Sequence, residues 1–341
     1  MATVSACEIA RGSRVLVTGA SGFTGACLVK KLIAAGVAVR AIARTSSNLG
    51  QFEGLPIEWV RGDVYDPATV HRAGRDVEYI FHVAAAFRAA KIDDAEYHRV
   101  HVDSTKLLAE AALQSQVFKR FVHVSTMGVH GHIENPPGSE ESPFSPGDAY
   151  QRTKAEAELW LREFASKQAL PFTVIRPTGI YGPGDRRLLK VFRMATWPLF
   201  PILGRGKCLY HLVHVEDLTN VMILAATHPR AAGEVFLVGD REAIRLEDLA
   251  RLVAETYGRR LRVLRIPVGP FFMAADLCEA VCRPLGIEPP IYRRRVAFYT
   301  KDRSFDTSKL RKLLGYETGY TNSTGIIATA RWYREQGWID I

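Results

Sequence analysis

Apolar positions along the chain fall into short β-branched runs separated by stretches of helical spacing, and the alternation persists through the first half. Residues 14–19 (RVLVTG) predict a strand. Residues 26–36 (ACLVKKLIAAG), apolar at 28, 29, 32 and 33, predict a helix stopped by Gly36. Further strands are expected at 37–44, 57–63, 77–85, 119–126, 172–177 and 234–239, with helices over 95–116 and 150–167. Strands that alternate with helices predict an α/β fold with a doubly wound parallel sheet. Residues 185–210 and 258–305 break the rhythm and are rich in Pro, Arg and aromatics. The expected organisation is a main domain over 12–184, rejoined by 212–245, and a smaller C-terminal substrate lobe from 185–211 and 246–330.

Composition narrows the class without naming an activity. With 341 residues, 47% hydrophobic and 24% charged, the chain reads as an ordinary globular protein and neither disordered nor fibrous. Five cysteines without a C-x-x-C argue against a disulfide framework and a zinc site, and Cys278 and Cys282 are read as packing residues. The first residues lack the apolar core of a signal peptide, and no run reaches the ~18 uncharged apolar residues of a membrane span. A cytoplasmic setting is therefore expected. The net charge is +9, but residues 283–312 hold nine Lys/Arg against three acids, so most of the excess lies in one stretch. Without zinc-finger spacing or interleaved aromatics, that stretch reads as a solvated face or an anionic-ligand wall, and no nucleic-acid partner is expected.

Two constellations carry chemistry. The first strand runs into TGASGFTG (18–25) and then a helix. Gly19, Gly22 and Gly25 permit a tight turn, close backbone approach to a pyrophosphate and close helix–sheet packing, as in a dinucleotide site. After the third strand, Asp63 is placed to accept from an adenine amino group. The second constellation is Tyr150-Gln151-Arg152-Thr153-Lys154, which puts a phenol and an amine on one helix face. A free tyrosine, with pKa near 10, is a weak base at neutral pH, and an adjacent ammonium favours the phenolate. Thr126 offers a hydroxyl to the same substrate oxygen, with Ser125 as the rival, because one position along a strand decides the face. The pairs His130/His132 and His211/His214 come without a third ligand, so no metal is expected.

Together these residues resemble the extended short-chain dehydrogenase/reductase family over essentially the whole chain. TGASGFTG matches its T-G-x-x-G-x-x-G, HVAAAF (82–87) its cofactor-lining H-x-A-A, and STMGVHG (125–131) its S-[ST]-x-x-V-[YH]-G. Tyr150 and Lys154 match Y-x-x-x-K, and RPTGIYGPGD (176–185) matches R-P-x-x-x-Y-G-P-G-D. The resemblance implies a Rossmann domain and a dimer built from the helices near 95–116 and 150–167. It also implies catalysis by Thr126, Tyr150 and Lys154. NAD(P) contacts would come from Gly19, Ser21, Gly22, Phe23, Thr24, Gly25, Arg44, Asp63, Val64, Ala84, Ala85, Tyr150, Lys154, Pro177, Gly179 and Ile180. One departure stands out: where the family writes N-V-x-G-T, with an asparagine that helps hold water beside the lysine, this chain has His101-Val102-Asp103-Ser104-Thr105.

Within the family the motifs most resemble the 3β-hydroxysteroid/sterol dehydrogenase and dihydroflavonol reductase-like branch. Supporting features are LVHVEDL (212–218), FDTSKLRKLLGYETGY (305–320) and the lobe residues Phe192, Trp197, Phe200, Phe271, Phe272 and Met273, which imply a bulky apolar substrate. A nucleotide-sugar 4-epimerase is the alternative. That branch has Asn where this chain has Gly179, and Arg in the segment where it has Tyr210, so a diphosphate would need Arg186, Arg187 or 293–295. A dehydratase would need carboxylates where Met127 and Gly128 stand. A non-catalytic dinucleotide-binding regulator is a second alternative, although such members usually lose the Tyr or the Lys. NADP is the expected cofactor, with NAD possible: the NAD-selecting carboxylate falls at Ala43, and Arg44 beside it can fork onto a 2′-phosphate. Arg40 is not counted towards it.

Overall fold

The computed structural model describes residues 8–86, 93–282, 284, 289 and 302–340. Seven parallel strands form the main sheet: β1 (Arg14–Thr18), β2 (Ala38–Ala43), β3 (Ile57–Arg61), β4 (Tyr79–His82), β5 (Arg120–Val124), β6 (Phe172–Pro177) and β11 (Val235–Val238). Their spatial order is β3-β2-β1-β4-β5-β6-β11, so the winding reverses between β1 and β4. In such sheets the crevice at the carboxyl ends beside the reversal receives ligands.

Both faces of the sheet are apolar, because the strands are nearly continuous runs of Val, Ile, Leu and Phe. One face is covered by α1 (Phe23–Ala34) and α7 (Val215–Thr227), which contribute Leu28, Leu32, Leu218 and Met222. The other is covered by α2 (Pro67–Gly74), α4 (Ser104–Gln114) and α5 (Ala149–Gln168), through Val70, Leu108 and Leu161. A short helix α3 (Asp94–His98) runs through a π-helical turn, Arg99–Asp103, into α4, where the sequence predicts one uninterrupted helix. The helix α2 is an addition to the expected elements. Asp66 caps it, accepting from the Thr69 N–H at 2.9 Å, and Pro67 opens it.

The lobe has its own core. The elements in this part of the chain are β7 (Gly179–Tyr181), α6 (Leu189–Met194), β8 (Phe200–Leu203), β9 (Leu209–Tyr210), β10 (Leu212–His214), β12 (Ile244–Arg245), α8 (Leu246–Thr256), β13 (Val263–Ile266), α9 (Gly269–Cys282) and α11 (Asn322–Glu335), of which β9 and α9 contribute no residue to that core. Tyr181, Phe192, Phe200, Val253, Ile326 and Tyr333 fill its centre. The strands pair in twos: β7 with β10, β9 with β12 and β8 with β13. Between α9 and α11, α10 (Ser308–Leu314) turns back and buries Leu310 and Leu314 in the core of the main sheet rather than in the lobe.

Candidate active site

The expected cofactor residues converge on the carboxyl ends of the strands around the reversal. The three glycines have separate steric reasons. Gly19 has φ +69°, and a Cβ on it would lie 2.7 Å from the Ala84 backbone nitrogen. A Cβ on Gly25 would lie 2.2 Å from the Gly19 oxygen. Gly22 donates its N–H to that oxygen at 3.0 Å and opens α1 in extended conformation without a side-chain cap, leaving the first N–H groups of α1 to face an anion. This cradle, closed to a side chain at Gly19 and Gly25, fits a dinucleotide pyrophosphate. Ser21 is half-buried and Thr24 buried beside it, and the Phe23 ring lies under the Arg187 guanidinium at 5.6 Å.

Around the cradle, Arg44 is exposed at the end of β2, and Asp63 and Val64 are half-buried after β3. Ala84 is buried and Ala85 exposed after β4, while Pro177 is buried and Gly179 and Ile180 half-buried at the β6–β7 junction. Arg40 points away: it is buried, ion-paired with Glu58 at 2.8 Å, and donates to the Ala73 and Arg75 carbonyls. Sequence reasoning missed Arg61. The register sets Ala43 beside Arg61, whose Nη1 donates to the Arg44 carbonyl at 3.1 Å, so two guanidinium groups flank the turn after β2. The basic residue ending a strand one place before G-D was the available signal.

The Tyr-Lys pair is set by the start of α5, which Asp148 caps by accepting from the Gln151 N–H at 2.8 Å. Tyr150 is half-buried; Lys154 is buried, 1% exposed, and its Nζ donates to the Val124 carbonyl at 2.9 Å and the Ala84 carbonyl at 3.4 Å. Burial pushes the Lys154 ammonium down to about 7, while Glu158 one turn on opposes the shift. Thr126 is half-buried, and its Oγ1 accepts from the Gly128 N–H at 3.1 Å. Ser125 is buried with its hydroxyl unpartnered, which makes Thr126 the more accessible of the two rivals. A Cβ on Gly128 would come within 3.2 Å of Gln151 and 3.3 Å of Thr126 Oγ1, so this glycine brings the Thr126 turn against the start of α5.

Other candidate residues divide. Phe192 and Phe200, two of the lobe residues taken to imply a bulky apolar substrate, are 0% and 1% exposed and belong to the lobe core, because facing helices and strands enclose them. Trp197 and Met273 are exposed, and Phe271 and Phe272 half-buried. Arg187 is committed to Asp185 at 2.8 Å and to the Ile180 carbonyl, and Arg186 stacks over Trp338 at 5.1 Å. Phe87 and Arg293, Arg294 and Arg295 lie outside the described residues. His211 bridges the Asp240 carbonyl and the Phe305 N–H, and His214 stacks on Tyr320 with ring centroids 3.8 Å apart. Among the described residues no group of three or more His, Cys, Asp or Glu is placed to hold a metal ion, and no helix is long and apolar enough to cross a membrane.

The reversal point, the side-chain-free cradle and a phenol one turn from a buried amine define a dinucleotide-dependent α/β enzyme. The chain belongs to the NAD dependent epimerase/dehydratase family, whose profile matches residues 15–239, and is an NAD(P)-dependent enzyme of the extended short-chain dehydrogenase/reductase type. It is similar at 30% identity over 336 residues to the 3 beta-hydroxysteroid dehydrogenase/Delta 5→4-isomerase of Mycobacterium tuberculosis, covering 94% of this chain and 90% of that one. It is also similar at 29% identity over 293 residues to the UDP-glucose 4-epimerase of Vibrio cholerae, covering 80% and 87%. Among solved structures, gox2253 matches with TM-score 0.82 at 26% identity over 96% of this chain and all of that one.

Proposed function

We propose that the protein is an oxidoreductase acting on a secondary alcohol or ketone of a bulky apolar substrate of sterol, steroid or flavonoid type. When bound, the nicotinamide supplies the hydride acceptor or donor; Gly19, Gly22 and Gly25 would hold its pyrophosphate, Asp63 its adenine and Lys154 its ribose. In the oxidative direction the carbinol loses a hydride and a proton to become a carbonyl. Tyr150 takes the hydroxyl proton, Thr126 hydrogen-bonds the same oxygen, and the Lys154 ammonium favours the phenolate.

The substrate class rests on the steric state of Gly179. A Cβ there would lie 2.9 Å from a Leu212 methyl and 3.2 Å from the His211 carbonyl, so the asparagine that a nucleotide-sugar enzyme carries would enter only if Leu212 shifted. Arg186 and Arg187, two of the cations the sequence offers for a diphosphate, are turned onto the chain's own groups. The similarity to a UDP-glucose 4-epimerase supports the second reading, a nucleotide-sugar 4-epimerase with tightly bound NAD. Thermal shifts with sterols and UDP-sugars side by side separate the two. Stabilisation by an apolar ring ligand is expected, and a large shift with a UDP-sugar alone would reverse the ranking.

The cofactor in this reading is NADP(H). Two arginines, Arg44 and Arg61, at the turn after β2, with Ala43 in place of the carboxylate of NAD-selecting enzymes, support this reading. Charge-assisted bonds of this kind contribute ~1.5–3 kcal/mol, so Arg44→Asp is expected to shift the NADPH/NADH affinity ratio roughly 10- to 100-fold towards NADH. Titration of both cofactors by fluorescence checks this, and an unchanged ratio would show that Arg44 does not read the phosphate. A homodimer through α4 and α5, which leave Leu113 and Leu159 exposed, and a reducing cytoplasmic setting complete the reading.

A further inference from the structure

Two directed hydrogen-bond chains leave the loop that follows β4, and a histidine stands in the middle of each. In the first, the Ala84 N–H donates to Thr18 Oγ1 at 3.2 Å, and that hydroxyl lies 2.8 Å from His82 Nδ1. The Ser104 hydroxyl lies 3.1 Å from His82 Nε2 and donates to the Val100 carbonyl at 2.6 Å. Since Ser104 gives its proton to Val100, Nε2 of His82 must be the donor to Ser104 and Nδ1 the acceptor from Thr18. In the second chain, the Ala86 N–H donates to His101 Nε2 at 3.1 Å. His101 Nδ1 therefore carries the proton and donates to Thr153 Oγ1 at 2.8 Å, whose own proton goes to the Ala149 carbonyl at 2.9 Å.

The second chain ends on the helix turn that carries the proposed base. Thr153 precedes Lys154, and Ala149 precedes Tyr150. The His101 ring also meets the Tyr150 ring edge to face, with centroids 5.2 Å apart and planes at 88°, and Tyr97 meets it from another side at 6.2 Å and 82°. His101 sits at the centre of the π-helical turn Arg99–Asp103, a geometry often found at functional sites. It is fully buried, and desolvation together with the Lys154 charge holds it neutral. Both ring nitrogens are engaged, so neither is left to hold a water or to pass a proton without breaking the chain.

We propose that His101, acting with Thr153, is a positioning residue that locks the loop 83–86 to the start of α5 and so fixes the Tyr150 ring relative to the cofactor cradle. This rests on the reading of Tyr150 as the base and of that loop as the cofactor lining. The position where the family carries a water-holding asparagine thus becomes a direct mechanical link from the Ala86 amide to the helix of the base. A histidine that merely fills space would need its ring volume only; the link needs both nitrogens and the Thr153 hydroxyl.

The test uses the full chain with His101→Phe, which keeps a ring against Tyr150 and removes both nitrogen bonds, alongside Thr153→Val, Thr153→Ser and the double variant His101→Phe/Thr153→Val. Hydrogen exchange of the Ala86 amide in the cofactor-free protein is expected to accelerate at least about tenfold in His101→Phe, because its acceptor is gone. NADPH affinity should fall several-fold and kcat roughly 10- to 100-fold, the scale of a misplaced catalytic group. Thr153→Val should reproduce the kcat loss, Thr153→Ser should restore it, and the double variant should be no worse than His101→Phe alone. Wild-type exchange, affinity and kcat in His101→Phe would overturn the inference, as would additive losses in the double variant. If His101→Phe fails to fold, the Val and Ser pair at Thr153 decides by the same readouts. Tyr150→Phe run in parallel separates the two layers. Retained activity there would remove the base assignment, and the Ala86 exchange and NADPH affinity would still report on the link.

Discussion

Tyr150→Phe is expected to lower turnover roughly 10²- to 10⁴-fold while leaving NADPH affinity within about threefold of wild type, the usual contribution of one acid–base group. The substitution removes one oxygen and retains the ring. The edge contacts with His101 and Tyr97 therefore survive, as does the His101–Thr153–Ala149 chain, which runs through the imidazole and the Thr153 hydroxyl to a backbone carbonyl and not through the phenol. Lys154 also keeps its carbonyl partners, Val124 and Ala84. The loss would thus report proton transfer and not a displaced cofactor loop. Steady-state kinetics with any alcohol or ketone found by the ligand screen, together with a fluorescence titration of NADPH, checks both halves. Activity within about threefold of wild type would mean that the proton leaves by another group, since even weak acid–base participants contribute more than that.

The parts of this site that were legible in the sequence are those fixed by local chemistry. A glycine cradle announces itself because no other residue tolerates Gly19 against Ala84 or Gly25 against the Gly19 oxygen. Strand and helix identities followed from periodicity, but the start of α1 did not. The helix opens at Phe23, inside the glycine loop and three residues before the expected 26, because the turn itself supplies its first residues. The helix α2 was signalled by Asp66-Pro67, a cap followed by a first-turn proline, and was overlooked because it carries few apolar residues. What lay beyond reach was tertiary. Phe192 and Phe200 look in sequence like any lobe aromatic, and only the packing of α6 and β8 against α8 and α11 makes them core. The histidines are a sharper case. His82 pairs with Thr18 across 64 positions and His101 with Thr153 across 52, separations that no local pattern encodes. The change from Asn to His at position 101 was visible; that both ring nitrogens are used was not.

Glu158→Gln is expected to destabilise the fold by ~3–5 kcal/mol, the cost of stripping the counter-charge from a buried ion pair. At position 158 on α5 the carboxylate faces Arg176 on β6, and both side chains are 0% exposed. The pair is bidentate, with Arg176 Nη2 donating to Glu158 Oε1 and Nε 3.1 and 3.2 Å from the two carboxylate oxygens, and the guanidinium also donates to the Glu140 carbonyl at 2.9 Å and contacts His130 Nε2 at 3.0 Å. Glutamine keeps the shape and one acceptor but leaves the guanidinium charge uncompensated away from water. Thermal denaturation of the cofactor-free protein should show Tm lower by roughly 6–20 °C. A change under about 2 °C would mean that the site admits enough water to solvate Arg176. The paired replacement Glu158→Met/Arg176→Met is expected to recover most of the loss, because a well-packed apolar pair of similar volume avoids the burial of charge altogether. Glu158 also sustains the Lys154 ammonium from one turn away, against burial. Glu158→Gln should therefore lower the Lys154 pKa below about 7, so that the fall of oxidative turnover with a neutral amine begins at a lower pH. A pH profile of kcat for Glu158→Gln, taken well below its Tm, separates this effect from stability. An unshifted profile would show that Glu158 acts on the fold alone.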